Sequence, residues 1–338
     1  MHMADALLST VVGGTFWVVS GMFIGYSAKK ITEENDPVKT PLMGVLGAFV
    51  FAAQMINFTI PGTGSSGHLG GGVLLTVLLG PYRAFITLAS VLIIQCLFFA
   101  DGGVLALGCN IFNLAFFPAF IAYPFIYRFF AGTTPSPRKL AAGSITAAAA
   151  ALLMGSLSVI LQIVLSGISE LPFSIFALFM LPIHLAIGMI EGVVTWAILS
   201  FLLKTAPHLL TGKPLSAPPR FIFAAFTIAA LMVGGIGSWF ASPHPDGLEW
   251  SMTKVTGSDE LHRISDPVHE ILASLQNRIA FFPDYGFKTT TQPAVIADSP
   301  VNVGTTVSGI VGALSVLVAA GITGVVLGKK QSQPKSQE

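Results

Sequence analysis

The chain has 338 residues, 53% of them hydrophobic and only 10% charged, with a mean hydropathy of +0.77 and a net charge of +1. A soluble globular chain carries about 25% charged residues, so this composition excludes a soluble domain, and the near-zero net charge gives no reason to expect a nucleic-acid partner. The two cysteines, Cys96 and Cys109, lie in apolar stretches without CxxC spacing, which excludes a disulfide framework and leaves them as small buried residues.

The chain opens "MHMADALLS" and runs on without charge from Ala6 to Ala28. That run is too long for the apolar part of a signal peptide and has no basic residues before it, so it reads as a retained helix over 7–28. Further apolar runs predict spanning helices over 41–58, 83–100, 107–130, 139–166 and 173–203. Between the second and third of these lie a glycine-rich loop, "FTIPGTGSSGHLG", and a short stretch, 69–80, ending at Gly80-Pro81. We count the short stretch as a short or tilted helix. A Pro-rich linker over 206–219, "GKPLSAPPR" at its core, then leads to two more helices, 220–240 and 304–328. Between these two lies a long polar segment, 241–303, and after them a polar tail that reads as disordered. The expected architecture is an all-α polytopic membrane protein of about nine helices. It consists of a seven-helix block over 1–205 and a two-helix hairpin over 220–338.

Basic residues set the expected orientation. With the N-terminus outside, the inward loops carry Lys29, Lys30, Lys39, Arg83, Arg128, Arg138, Lys139, Lys204, Lys213, Arg220, Lys329, Lys330 and Lys335, which is 13 of the 17. The other four lie in 241–303, and long translocated segments are exempt from the rule. The count works only if the short helix is included. It predicts an N-out, C-in protein of a bacterial-type cytoplasmic membrane, with Met1, His2 and the 58–70 loop on the same outer side.

The loop contains a literal G-x-G-x-x-G from Gly62 to Gly67, but it follows an apolar helix and Pro61 rather than a strand. No acidic residue follows until Asp101, so it is not a dinucleotide site. Its glycines suit close backbone approach and could deliver His68 to a buried point, although a lone loop histidine is more often incidental. "GVVLGKK" near the C-terminus lacks phosphate-loop spacing, so no ATPase lies in this chain.

Met1-His2 is a candidate chelate. The α-amine and the amide nitrogen of His2 close a five-membered ring on a metal, and the amide and imidazole Nδ1 close a six-membered one. Three nitrogens then lie in one plane, with His68 as the natural fourth. Tetragonal nitrogen sites suit Ni(II) or Cu(II), while a histidine at a frayed terminus is the ordinary alternative. Polar residues inside a membrane are further candidates. His184 and Glu191 share one helix face and read either as a proton or cation relay or as a contact with a neighbouring helix. Asn57, Asn110 and Asn113 read either as residues orienting the ligating imidazoles or as helix–helix contacts. Segment 241–303, with its acids and three scattered histidines, is expected to act on transport and not on the metal site itself.

The segments "MHMADALLS", "INFTIPGTGSSGHLGGGVLLTVLLGPYRA", "FFADGGVLALGCNIFN" and "HLAIGMIEGVVTWAI" resemble the substrate-binding component of nickel/cobalt energy-coupling-factor transporters, the NikM/CbiM family. "SPHPDGLEWS" and its flanking helices resemble the NikN/CbiN-type, or PDGLE, extension. The resemblance implies a seven-helix component that binds Ni(II) or Co(II) as transported substrate, with no permanently bound cofactor. The ligands it implies are the amine of Met1, the amide and imidazole of His2, and His68. The partners it implies are a transmembrane coupling protein and two ATPase subunits. Met3 stands where the family more often has isoleucine, and Ala6 where it often has glycine. The alternatives are a cobalt-specific component of the same type and a self-sufficient secondary transporter using Glu191 and His184.

Overall fold

The computed structural model describes residues 2–34, 36, 38–132, 136–169, 171–211, 220–257, 266–288 and 303–329. Helices occupy all nine expected positions. They are α1 (Thr10–Glu34), α2 (Lys39–Gln54), α3 (Gly72–Leu79), α4 (Pro81–Phe99), α5 (Leu107–Ala131), α6 (Pro137–Ser166), α7 (Phe173–Thr205), α8 (Arg220–Gly235) and, at the C-terminal end, Val303–Lys329. Two further helices, α9 (Gly247–Thr256) and α10 (Pro267–Ile279), stand in the outer segment, which makes the C-terminal helix α11.

Six of these helices, α1, α4, α5, α6, α7 and α11, are long and apolar enough to cross a membrane. The other three of the nine are not. At 1.5 Å per residue α3 covers about 12 Å, and α2 and α8 about 24 Å each, short of a hydrocarbon core of about 30 Å. The chain between α2 and α3 fills part of the gap. It carries a small antiparallel pair, β1 (Phe58–Ile60) and β2 (Ser65–Gly67), in register Phe58↔Gly67 and Ile60↔Ser65. The sequence reading has no strand here, because two three-residue strands are too short to show a pattern of two.

Local chemistry fixes the helix ends. Ser136 accepts from the Lys139 N–H in front of Pro137 at the start of α6, and Gly167 closes that helix in the left-handed conformation. Asp246 and Glu249 form a reciprocal capping box that starts α9. In α5 the winding is of the wider π type over Phe112–Tyr127, around Pro118 and Pro124, whose missing N–H groups interrupt the α-helical ladder.

α6 and α7 form a long pair in which Gly188 and Gly192 lie against Ala149 and Ile145. The C-terminal hairpin is no loose appendage. α11 lies along α2, where Leu317 and Gly321 face Gly44, and Gly309 of α11 meets Gly234 of α8. At one end of the molecule Arg83, almost fully buried, pairs with Glu34 (Nη1–Oε2 2.5 Å) and reaches Thr40. The histidines of the candidate site lie at the opposite end.

Candidate metal centre

The N-terminus runs into the protein. Met3 is fully buried. Its N–H donates to Asn110 Oδ1 (2.9 Å), and its carbonyl accepts from Asn110 Nδ2 (3.2 Å) and from the Gly103 N–H (2.9 Å). Asp5 Oδ1 accepts from the Ala106 N–H at 2.9 Å. A Cβ on Gly103 would collide with the Asp5 carboxylate, so this seat requires glycine. These bonds fix the residue before Met3. The His2 side chain is 8% exposed, and its Nδ1 lies 3.3 Å from Asp101 Oδ1. Asp101 is held in turn by the Tyr285 hydroxyl, which donates to Oδ2 at 2.5 Å. His2 Nε2 is buried with no hydrogen-bond partner. Met1 lies outside the described residues.

His68 arrives from the other side on the β1–β2 pair. Gly67 presses on Ile187 of α7, with no room for a Cβ. Just past His68, the N–H groups of Gly70 and Gly71 donate to the two oxygens of Glu191 (2.8 and 3.1 Å), and the Gly70 carbonyl accepts from Gln54 Nε2 at 2.8 Å. Gln95 Nε2 donates to Gln54 Oε1 at 2.8 Å and extends the network to α4. His68 Nδ1 lies 3.2 Å from the Leu69 carbonyl. The tautomer that donates there leaves Nε2 as a lone-pair donor.

The rings of His2 and His68 lie 5.1 Å apart and nearly parallel, at 13°. They lie 66 positions apart in the chain. Burial pushes the His68 imidazole down to about 3 and lowers His2 as well, against the opposing charge of Asp101. Both imidazoles are therefore neutral at physiological pH, the form that ligates a metal. Among the described residues no group of three or more His, Cys, Asp or Glu side chains is arranged to hold a metal ion.

The other sequence candidates divide. Asn110 lies directly behind the N-terminal segment, where it grips Met3. Asn113 instead makes a reciprocal pair with Gln162 (2.7 and 3.0 Å), which joins α5 to α6. Asn57 lines the outer cavity, and its carbonyl accepts from the Ser242 N–H. Glu191 holds the His68 loop through both oxygens. His184 bonds its own helix through the Met180 carbonyl (2.8 Å) and lines a small cavity beside His68. Cys96 and Cys109 are buried and unpaired by any disulfide. Gln54, Gln95, Asp101 and Tyr285 escaped sequence reasoning. The first two carried the usable signal, an amide in an apolar helix.

The outer segment packs closely around the surroundings of the two histidines. The carbonyl of Pro245 accepts from the Ser66 N–H (2.8 Å), Trp250 Nε1 donates to the Thr63 carbonyl (3.1 Å), and Gln276 Nε2 donates to the carbonyls of Cys96 and Gly102. His269 Nε2 lies 3.1 and 3.0 Å from the carbonyls of Asp5 and Leu8. The segment thus covers the hairpin and the N-terminal turn together. Beneath it a cavity of about 520 Å³ is lined by His2, His68, Asp101, Asp246 and Tyr285 among others.

Comparison with known proteins agrees with this architecture. Residues 2–209 match the family model described as CbiM, the cobalt uptake substrate-specific transmembrane region, and residues 220–329 match the PDGLE domain. The chain is 34% identical to a putative fused nickel transport protein NikMN of Archaeoglobus fulgidus, over 69% of this chain and 74% of that one. It is 29% identical to a probable fused nickel transport protein LarMN of Lactiplantibacillus plantarum, over 94% and 96%. A solved structure titled as a truncated transition metal transporter superposes with a TM-score of 0.54 at 29% identity, covering 61% of this chain and 99% of that one. The chain belongs to the CbiM family and carries a PDGLE domain behind the family's region, which makes it a multi-pass membrane protein of nickel/cobalt transport and not an enzyme.

Proposed function

We propose that the chain is the substrate-capturing component of an ATP-driven energy-coupling-factor importer, and that it takes Ni(II) from outside through the amine of Met1, the amide and imidazole of His2, and His68. The observation that carries this reading is the meeting of two neutral imidazoles, one on a buried N-terminal segment and one on a loop anchored to α7. Two imidazoles alone are a poor metal site, and main-chain nitrogens complete the square. The chelate needs His2 Nδ1, which faces Asp101 in this structure, on the metal. Planar nitrogen donors favour nickel over cobalt. The distribution of basic residues supports a reading with this end of the molecule outside and the Arg83–Glu34 end inside, and the family reading adds a coupling protein and two ATPase subunits as partners.

The amine is the sharpest part of the reading, because a free terminus is a ligand that any preceding residue abolishes. An added residue turns the amine into an amide and pushes chain into an enclosed seat. A tag before Met1 is expected to abolish nickel binding, and the same tag after Glu338 to leave it intact. Metal analysis of both proteins, with folding checked by gel filtration, decides the point. A folded N-tagged protein that binds nickel as well as the C-tagged one would remove the amine from the ligand set.

A further inference from the structure

α10 of the outer segment lies across the bundle and not along it. Asp266 Oδ2, just before the helix, accepts from Thr10 Oγ1 (2.8 Å) at the start of α1. Gln276 Nε2, near its other end, donates to the carbonyls of Cys96 and Gly102 at the end of α4. From Asp266 to Gln276 the chain advances ten residues, about 15 Å of helix. α10 therefore bridges the ends of two helices that are long and apolar enough to cross a membrane. One side of it faces protein, where His269 is buried against the carbonyls of Asp5 and Leu8.

The rest of the helix surface is divided. At about 100° per residue, Val268, Ile271 and Leu275 fall in one apolar stripe, and Glu270, Ser274 and Asn277 fall in a separate polar one. Arg278 stands at the border between them. The apolar stripe has no protein cover, since Ile271 is 66% exposed and Leu275 45%. It also has neighbours of the same kind. Val11, next to the Thr10 that bonds Asp266, is 78% exposed, and Val18 and Met22 continue this exposed row along α1. Phe281, just past the other end of α10, is 61% exposed and packs edge-on against Phe98 of α4 with ring centres 5.6 Å apart. The exposed apolar side of a spanning helix faces lipid, and large exposed apolar patches mark surfaces of interaction. The stripe on α10 continues the lipid-facing surface of α1 around the end of the bundle. A crosswise amphipathic helix with a long cationic side chain at its apolar border has the form of a helix lying in a lipid interface.

We propose that α10 lies in the membrane interface at the end of the molecule that carries His2 and His68. Val268, Ile271 and Leu275 enter the acyl chains of that leaflet, and Arg278 reaches the headgroup phosphates. The proposal does not depend on the ligand set of the metal site. It gives the cover over the N-terminal turn a second attachment, because the helix that holds Asp5 and Leu8 through His269 is fastened to lipid as well as to protein.

The test uses the full chain in phosphatidylcholine nanodiscs, which leave both membrane faces open to solutes. Ile271→Cys and Glu270→Cys are each labelled with an environment-sensitive fluorophore; the native Cys96 and Cys109 are buried. Leu275→Cys and Ser274→Cys repeat the comparison one turn along, so that one misfolded variant does not decide the result, and gel filtration checks folding. Brominated phosphatidylcholine quenches from the acyl chains, and iodide quenches from water. Brominated lipid is expected to quench labels at 271 and 275 several-fold more than labels at 270 and 274, with iodide in the reverse order. Equal quenching by iodide at both pairs of positions puts α10 in water and overturns the proposal. Protection of 271 and 275 from both quenchers overturns it as well, because the stripe is then covered by protein, either a second copy or another stretch of this chain.

Discussion

Glu191 shows how a single residue can look like chemistry and do mechanics. A carboxylate midway along a spanning helix reads as a proton carrier, yet its oxygens meet two adjacent main-chain N–H groups, each of which needs an acceptor. Glutamine at this position offers one oxygen and turns an NH₂ toward the second N–H. We expect Glu191→Gln to loosen the loop and weaken nickel binding about ten- to a hundredfold, the range found when groups behind metal ligands are lost, with the ligands untouched. Chelator competition measures this, and unchanged affinity would show the loop needs no such anchor. The imidazoles make a second prediction. With His68 held at about 3 and His2 also lowered by burial, neither ring is expected to take up its proton near the ordinary 6.5. The competing protons are those of the terminal ammonium, ordinarily near 7.7–8.0, and of the amide that the metal displaces. Below about pH 7.7 each unit of acidification should therefore lower nickel affinity about a hundredfold, one factor of ten for each proton. No further break is expected near 6.5. A titration with a break there would show that a histidine enters the site protonated.

At the scale of elements, the β1–β2 pair sets where His68 stands, and its reference surface is α7. Gly67 rests on Ile187 so closely that a side chain must push the pair away. Gly67→Val is expected to reduce nickel binding at least tenfold in a protein that still folds, because the strand pair is short and moves as a unit. Ile187→Ala removes the obstacle, so the double variant should recover most of the loss. Such recovery is the sign of direct coupling between two sites. Double-variant affinity no better than that of Gly67→Val alone would mean that Gly67 is needed for its backbone and not for its missing side chain.

At the scale of the whole molecule, the two family domains share surfaces instead of meeting at a linker. α11 lies along α2, and α9, α10 and the residues around Tyr285 cover the N-terminal turn, the hairpin and the Asp101 loop. The sequence reading expects deletion of 206–338 to leave equilibrium affinity intact and to lower uptake, whereas the contacts between the two domains argue for a different outcome. The deletion exposes the apolar face of α2 and frees His2's neighbour Asp101 from Tyr285. We expect a lower Tm and weaker nickel binding in the truncated protein. Parent-like affinity after deletion would return the C-terminal domain to transport alone.

Much of this was legible in the residues because membrane physics leaves few choices. Apolar runs must be helices, since lipid supplies no hydrogen-bond partners, and nine of them are found where hydropathy places them. Met1-His2 could be read as a chelate because the donors adjoin in sequence and ring size follows from covalent geometry. His68 could only be suspected, since its place depends on a strand pair of three residues a side and on Glu191, 123 residues further along the chain. Asn110 and Asn113 look alike in sequence and differ entirely in partner, one gripping Met3 and the other Gln162. The seating of Asp246 beside that loop came from packing alone, because nothing in a linear pattern records which outer segment closes over which cavity.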